Sequence, residues 1–176
     1  MRDPTVQVRL ARLVVHAMTR EPLAILAEPD GDRCLVVAVR GPQAEVMSRG
    51  AVPHRVPADE LDGRDDRLPQ DLVADLAGAL GRHLAGVEIT ALVDERYRSA
   101  LVLDDGTRVA TRPSDALAVA VRDDLPIAVA AEVLDAVGQS VADLLKDAPV
   151  PPADQVTEMR RMLDQVTADD FAPDEG

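Results

Sequence analysis

Alternation of apolar and polar residues near the N-terminus predicts the first strand of a sheet. Val6, Val8 and Leu10 are separated by polar or charged neighbours within residues 5–18. A two-residue period is typical of a strand with one face buried and the other exposed to water. We therefore expect a β-strand in this segment, with the two valines and the leucine facing the core.

Two apolar runs follow, Leu23–Ala27 and Cys34–Val39, and residues 29–32 between them are Pro, Asp, Gly and Asp. Those residue types favour tight turns, so the runs are predicted to form a β-hairpin. A second group of strands is indicated by the alternation in Val87–Val93 and Tyr97–Leu103. A turn at Asp104-Asp105-Gly106 would add a third strand at 107–110, which makes a β-meander.

Helical spacing appears after Pro69, where Leu72, Leu76, Ala79 and Leu80 recur every three or four residues. Proline suits the first turn of a helix, so we predict a helix that begins near Pro69 and ends near Gly81 to Gly86. Shorter elements are also predicted. They are a helix at Gln43–Arg49 with Ala44, Val46 and Met47 inward, a helix at Ala116–Arg122 capped by Ser114, a buried strand at Ile127–Ala130, and a helix at Glu132–Val137.

Strands and helices mix without strict β-α-β alternation, which indicates the α+β class. We expect a mixed or antiparallel sheet, containing the hairpin and the meander, packed against two or three helices. Residues 1–145 would form one domain, with a surface loop at 50–69. Residues 146–176 would add a Pro-containing linker, a helix at Asp154–Val166 and an acidic tail.

The composition limits the possible partners. The 176 residues carry a net charge of −13 and only two aromatic residues, Tyr97 and Phe171. So acidic a chain repels polyanions on average, and a nucleic-acid contact would need a local arginine cluster or a bridging metal ion. Small aliphatic side chains must fill the core, so the elements should pack closely.

The single cysteine, Cys34, excludes an intramolecular disulfide and a cysteine-based zinc site, and its apolar neighbours predict a buried thiol. No segment has the ~18 uninterrupted apolar residues of a transmembrane helix, and the charged N-terminus lacks a signal-peptide core. These features predict a cytoplasmic protein without a membrane anchor.

Few segments point to chemistry on their own. No phosphate-binding glycine loop is present, and His16, His54 and His83 are too far apart to suggest a metal site. Carboxylate sets at Asp62/Asp65/Asp66, Asp104/Asp105 and Asp123/Asp124 could hold Mg²⁺. Aspartate is also favoured in turns and at helix ends for backbone reasons, and we prefer that structural interpretation.

The segment Arg112-Pro113-Ser114-Asp115 is more specific. Pro113 biases Arg112 to an extended conformation, and Asp115 places negative charge at the positive end of a helix. Arg112 would stand beside Asp115 just outside the sheet. Two interpretations of this corner stay open. It is either a structural connection between a strand and a helix, stabilised by an ion pair, or an Arg/Asp site suited to binding phosphate.

The same segment carries a resemblance. Arg112-Pro113-Ser114-Asp115-Ala116, with the apolar helix to Arg122, Pro126-Ile127 and Glu132-Val133-Leu134, resembles the most distinctive stretch of the bifunctional nuclease domain family. Residues 163–171 resemble the tail of actinobacterial members. The resemblance, over about residues 5–171, implies an α+β domain that self-associates, in a family named for DNase and RNase activity.

Two departures from the family pattern concern catalysis. Where the family usually has Glu, this chain has Gln43, and where the family tends to have His before Asp-Leu, this chain has Gln70. An amide replaces a carboxylate at the first position and an imidazole at the second. Asp71 is retained from the second motif. If the lost groups took part in the chemistry, the activity is weakened or lost while the fold persists.

Three functions follow as hypotheses. In the first, the chain is a nuclease: Arg112 steadies a phosphate of a nucleic-acid substrate, while Asp71 and Asp115 are catalytic and hold Mg²⁺ or Mn²⁺ or orient water. In the second, the chain is a non-catalytic homo-oligomeric or regulatory module in which the corner is structural. In the third, the C-terminal helix, with Met159, Met162 and Leu163 on one face, docks on a partner or a second protomer.

Overall fold

The computed structural model describes residues 4–16, 18–51, 68–140 and 143–144. Most of the predicted loop at 50–69, the predicted domain boundary near 145, and the predicted helix and tail beyond it lie outside these residues. The chain divides into units at Met1–Leu144 and Leu145–Gly176. The fold set out below is that of the described part of the first unit.

Eight strands and four helices make up the described fold. The strands are β1 (Thr5–Val15), β2 (Pro22–Ala27), β3 (Arg33–Ala38), β4 (Leu84–Val93), β5 (Arg96–Leu103), β6 (Arg108–Thr111), β7 (Ile127–Ala130) and β8 (Gln139–Ser140). The helices are α1 (Gly41–Arg49), α2 (Pro69–Ala79), α3 (Pro113–Arg122) and α4 (Ala131–Val137). The predicted α+β class is confirmed.

The strands form one mixed sheet in the order β6-β5-β4-β7-β1-β2-β3-β8. β4 and β7 are parallel, and the other neighbouring pairs are antiparallel. The predicted hairpin is β2–β3, and the predicted meander is β4–β5–β6. A parallel pair needs a crossover, and the chain between β4 and β7 supplies one through β5, β6 and α3.

β1 joins the two halves of the sheet. Its first residues, Thr5–Val8, pair with β7, whereas Arg9–Val15 pair with β2. A register shift between Leu10 and Arg12 follows shortly after the change of partner. The predicted alternation of exposed and buried residues holds up to Leu10. The bulge that follows changes the direction of the strand, because bulges bend strands and increase their twist.

Helix α3 lies at the centre of the packing. Most of its residues are buried, and it contacts α1, α2, β3, β4 and β5. Ala116, Ala118 and Ala120 are each at most 1% exposed, so the neighbouring elements approach its backbone closely. This is the close packing that a core without Trp and with almost no aromatic side chain requires.

Tyr97 links strands that are distant in the sheet order. Its hydroxyl on β5 donates a hydrogen bond to the backbone carbonyl of Val36 on β3, at 3.3 Å. The sheet is therefore curled enough to bring these strands within reach of each other. Burial raises the pKa of the Tyr97 hydroxyl, so it stays protonated and able to donate at neutral pH.

The predicted helix after Pro69 is present as α2, and its regularly spaced leucines lie on the solvent side. Leu72, Leu76 and Leu80 are 64%, 58% and 73% exposed, although their spacing is helical. The side of α2 that faces the domain instead carries the buried Asp71, together with half-buried Val73 and Ala77. Periodicity identifies an apolar face, but it does not say whether the same chain covers that face.

Truncating the core of α3 should destabilise the domain strongly. Leu117 is 1% exposed, so Leu117→Ala should lower the free energy of unfolding by roughly 2–5 kcal/mol, through lost transfer energy and a residual cavity. Met18→Ala serves as the control, because Met18 is 89% exposed and its truncation should change stability by less than about 0.5 kcal/mol. Urea unfolding followed by circular dichroism measures both, and equal effects would contradict the central position of α3.

Candidate functional site

The strand-to-helix corner at Arg112 has the predicted ion pair. Arg112 is extended (φ −74°, ψ 145°), as the following proline favours, and α3 begins at Pro113. The Arg112 Nε donates to Asp115 Oδ2 at 2.6 Å. Arg112 is 59% exposed and Asp115 is 27% exposed, so the pair lies at the edge of the solvent.

The predicted cap of α3 is wrong. Ser114 lies inside the first turn and is buried, while Arg112 occupies the N-cap position without a side-chain cap hydrogen bond. Pro113 explains the shift, because proline is favoured as the first helical residue and lacks the N–H that a cap would satisfy. The carbonyl of Arg112 accepts hydrogen bonds from the N–H groups of Asp115 and Ala116, both at 3.0 Å.

A residue from a distant part of the chain completes the corner. Gln43, in the first turn of α1, donates through Nε2 to Asp115 Oδ1 at 2.8 Å. Both carboxylate oxygens of Asp115 are thus engaged, one by a guanidinium and one by an amide. The contact brings the N-terminal ends of α1 and α3 together, and we call Gln43, Arg112 and Asp115 the corner site.

Asp71, the other predicted site residue, is held in a different way. Arg122, in the last turn of α3, donates from Nε to Asp71 Oδ1 at 3.0 Å and from an Nη to Asp71 Oδ2 at 2.8 Å. The side chains are 7% and 8% exposed, so this is a buried bidentate ion pair. Asp71 Oδ2 also accepts from the N–H of Leu68 at 2.8 Å, which caps the start of α2.

The predicted residues therefore form two clusters on α3. Asp115 in the first turn belongs to the corner site, and Arg122, two turns later, holds Asp71. At 1.5 Å per residue the two positions on α3 are about 10 Å apart along its axis. Both lie on the same side of the helix, because residues two turns apart face the same direction.

Comparison with known proteins identifies the family of the chain. The model of the bifunctional nuclease domain matches residues 24–142, which include the corner site, Asp71 and Arg122. The chain belongs to the bifunctional nuclease domain family. Similar proteins include two from Mycobacterium tuberculosis, the uncharacterized proteins MT1877 (strain CDC 1551 / Oshkosh) and Rv1829 (strain H37Rv). Each is 30% identical over 170 residues, which cover 94% of this chain and 97% of the relative.

Both departures from the nuclease pattern leave an unsatisfied atom. The Oε1 atoms of Gln43 and Gln70 are buried and have no hydrogen-bond partner among the described residues. Rotating the Gln43 amide would not help, since its oxygen would then face the carboxylate of Asp115. Buried polar atoms are hydrogen-bonded in the great majority of cases, so these two amide oxygens are exceptions to that pattern.

Mg²⁺ or Mn²⁺, which the nuclease resemblance implies, does not fit the donors as they stand. Mg²⁺ prefers oxygen ligands with accessible lone pairs in octahedral geometry. The four carboxylate oxygens of Asp71 and Asp115 already accept hydrogen bonds, and each carboxylate has an arginine against it. In the described part of the chain, no three His, Cys, Asp or Glu side chains are grouped to hold a metal ion.

The acidic set Asp104/Asp105 has structural partners. Asp105 Oδ1 accepts from the N–H of Thr107 in the β5–β6 turn, and its carboxylate pairs with Arg82 at 3.0 Å. The Thr107 hydrogen bonds, followed by the charge of Arg82, lower the pKa of Asp105. Asp62, Asp65, Asp66 and His54 lie outside the described residues. No described helix is both long and apolar enough to cross a membrane.

Sequence reasoning missed Arg122 as a site residue. An arginine in the last turn of a helix is usually explained by its favourable interaction with the helix dipole. That explanation gives no reason to expect a buried carboxylate partner. One signal was available: Arg122 falls on the same side of α3 as Asp115. The partner itself, Asp71, comes from a segment distant in sequence, which no local pattern identifies.

Breaking the buried pair should cost far more than breaking an exposed one. Arg122→Met leaves the carboxylate of Asp71 buried without its guanidinium and should lower the free energy of unfolding by roughly 3–5 kcal/mol. The control is Glu88→Gln, because its partner Arg108 is 37% exposed and such pairs contribute about 0–1 kcal/mol. The double variant Asp71→Asn/Arg122→Met should regain part of the loss in urea unfolding. A double variant no more stable than Arg122→Met would contradict the charge explanation.

Proposed function

We propose that this bifunctional nuclease domain binds the phosphodiester backbone of nucleic acid at the corner site and hydrolyses it slowly. The observation that carries the proposal is the arrangement of Arg112. Asp115 orients its guanidinium through Nε alone, and its two Nη groups have no acceptor among the described residues. An arginine held in this way can offer paired N–H donors to a phosphate, which is the geometry that arginine recognises best.

Helix termini favour an anion at the same place. The Gln43–Asp115 hydrogen bond joins the first turns of α1 and α3, so the positive ends of two helix dipoles converge near Arg112. N–H groups at helix N-termini attract phosphates. This local field offers a reason why a chain of net charge −13 can hold a polyanion at one point.

Hydrolysis at this site would rest on Asp115. Its carboxylate lies beside Arg112 and is the only acidic side chain of the corner site, so it is the base that would orient or deprotonate water. Gln43 cannot share this role, because an amide neither accepts a proton at neutral pH nor binds a cation as a charged ligand. A positioned general base contributes about 10²–10⁴-fold to a rate, and we attribute slow turnover to the loss of one.

A second function, that of a non-catalytic homo-oligomeric or regulatory module, is favoured by the state of Asp71. This predicted catalytic residue is buried, and its carboxylate holds Arg122 and caps α2. In a module of this kind the two ion pairs would only maintain the fold. Self-association and cytoplasmic location stay predictions, and they are compatible with either function.

Removing Arg112 should weaken nucleic-acid binding. Arg112→Ala is expected to raise the dissociation constant for a fluorescently labelled single-stranded oligonucleotide, and to reduce the salt slope of log K by about 1, the value for one lost phosphate contact. Arg49→Ala is the matched control, because Arg49 is 45% exposed and pairs with Glu45 on α1. Fluorescence anisotropy over a salt series measures both variants, and identical slopes would contradict the binding role of Arg112.

Restoring the family's reactive groups should increase cleavage. Gln43→Glu places a second carboxylate against Asp115 and supplies the charge that a divalent cation needs, and Gln70→His adds an imidazole next to Asp71. We expect Gln43→Glu/Gln70→His to cleave single- or double-stranded substrates in Mg²⁺ or Mn²⁺ at least about 10-fold faster than the natural chain. The readout is product formation on denaturing gels, with and without a chelator.

Two controls make this test decisive. Arg112→Ala in the Gln43→Glu/Gln70→His background should return the rate to the starting level, which excludes a contaminating nuclease. If neither the natural chain nor the restored variant cleaves, while a family member with Glu and His intact does so under the same conditions, the hydrolytic proposal fails. The non-catalytic module is then the function that remains.

A further inference from the structure

Arg98 on β5 points away from the core. Its neighbours in the strand point inward, because Ser99 is buried and Tyr97 is half-buried, whereas Arg98 is exposed. Successive side chains of a strand lie on opposite faces, which accounts for this alternation. Arg98 makes no hydrogen bond or ion pair with any residue that the structure describes, so its guanidinium is available to a ligand.

The register of the β5–β6 ladder places Arg98 beside Arg112 of the corner site. Ser99 pairs with Thr111 in this antiparallel ladder, and the Ser99 hydroxyl donates to the Thr111 carbonyl oxygen at 2.7 Å. One residue further in the same direction, β5 has Arg98 and the other chain segment has Arg112. Facing residues of antiparallel strands have Cα atoms about 4.5–5.5 Å apart, so the two arginines are close neighbours. Arg112 keeps an extended backbone, so its side chain leaves the chain on the same side as that of Arg98.

These neighbouring arginines share one carboxylate among the described residues. Like charges directly opposite each other in a sheet repel, and Asp115 engages only the Nε of Arg112. On the same sheet, Arg108 has a full partner, since it donates to both carboxylate oxygens of Glu88 at 2.8 and 3.0 Å. Arg98 lacks such a partner although the chain has 32 acidic residues against 19 basic ones. An anion between Arg98 and Arg112 would remove the repulsion.

We propose that Arg98 is a second phosphate-binding residue of the corner site. This inference rests on the proposed function and names the group that the site holds, a phosphate between the guanidinium of Arg98 and the Nη groups of Arg112. Paired N–H donors of arginine match the charged oxygens of a phosphate. An internal phosphodiester and a terminal phosphomonoester of a nucleic-acid strand both offer such oxygens.

The aromatic content of the chain makes a second phosphate contact important. Proteins that bind single strands commonly stack the bases on aromatic side chains. Within the described residues the only aromatic side chain is Tyr97, and its hydroxyl is bonded to Val36. Phosphate contacts must therefore supply the affinity at this site, against the repulsion from a chain of net charge −13.

The first experiment measures the affinity for a single-stranded oligonucleotide with a fluorescent label at its 3′ end, by anisotropy over a salt series. Arg98→Ala should raise the dissociation constant by about 10-fold, the effect of one lost hydrogen bond to a charged group, and reduce the salt slope of log K by about 1. Arg12→Ala is the matched control and should change neither quantity. Arg12 is likewise exposed and without a partner among the described residues, but it lies on β1 where that strand pairs with β2.

The second experiment separates direct contact from general charge and distinguishes the two kinds of phosphate. Arg98→Lys keeps the charge without the planar fork, so a direct contact predicts weaker binding than in the natural chain. The oligonucleotide is used with a 5′-phosphate and with a 5′-hydroxyl. A terminal phosphomonoester as ligand predicts tighter binding of the phosphorylated form and loss of that preference in Arg98→Ala. An internal phosphodiester predicts equal binding of both forms, weakened equally by Arg98→Ala.

The role of Arg98 and the proposed function fail in different ways. If Arg112→Ala weakens binding while Arg98→Ala has no more effect than Arg12→Ala, the corner site stands and the inference about Arg98 is overturned. If neither Arg98→Ala nor Arg112→Ala weakens binding, or if the natural chain binds no oligonucleotide, the proposed function fails and Arg98 loses its role with it. Weaker binding by folded Arg98→Ala, with Arg12→Ala unchanged, supports the inference whether or not the chain cleaves. Circular dichroism verifies the fold of each variant.

Discussion

The ion pair between Asp71 and Arg122 determines how α2 lies on the domain. An aspartate and an arginine that are both less than a tenth exposed must meet each other, because an unpaired buried charge costs several kcal/mol. Asp71 is therefore turned toward α3, and the rest of α2 follows from helical geometry. The residues on the opposite side, Leu72, Leu76 and Leu80, are directed to solvent even though they are apolar. In α2 the pairing of a buried carboxylate with a buried guanidinium therefore outweighs the tendency of the three leucines to be buried.

α3 transmits this constraint to the corner site. The same helix holds Asp71 at its last turn and Asp115 at its first, and its buried alanines fix it against the sheet. A shift or rotation of α3 would disturb both clusters together. The Tyr97–Val36 hydrogen bond connects β5 and β3, two of the strands that α3 contacts. The geometry of the corner site thus depends on the packing of the whole of α3 and not only on the residues around Arg112.

Local signals in the sequence predicted most of the elements. The β2–β3 hairpin and the β4–β5–β6 meander follow from alternation and turn residues, and the start of α2 follows from Pro69. The ion pair of Arg112 with Asp115 was also predictable, since the residues are three apart and Pro113 sets the backbone between them. Contacts between distant segments were not: Gln43 reaches Asp115, and Asp71 reaches Arg122, through the tertiary fold. The side of α2 that faces the domain could not be identified for the same reason, because Asp71 on that side pairs with a charge on another helix.

The amide at Gln43 bears on how the fold and the chemistry separate. A glutamate at this position would set two carboxylates against each other at hydrogen-bond distance, and such a pair needs a cation or a shared proton to be stable. Gln43 removes the repulsion and donates to Asp115 instead, so the joint between α1 and α3 holds without either. This arrangement leaves the amide oxygen of Gln43 buried, with no hydrogen-bond partner in the part of the chain that the structure describes. The corner therefore keeps its exposed arginine and its ion pair without a carboxylate at position 43. For this reason phosphate binding and hydrolysis have to be measured separately in this chain.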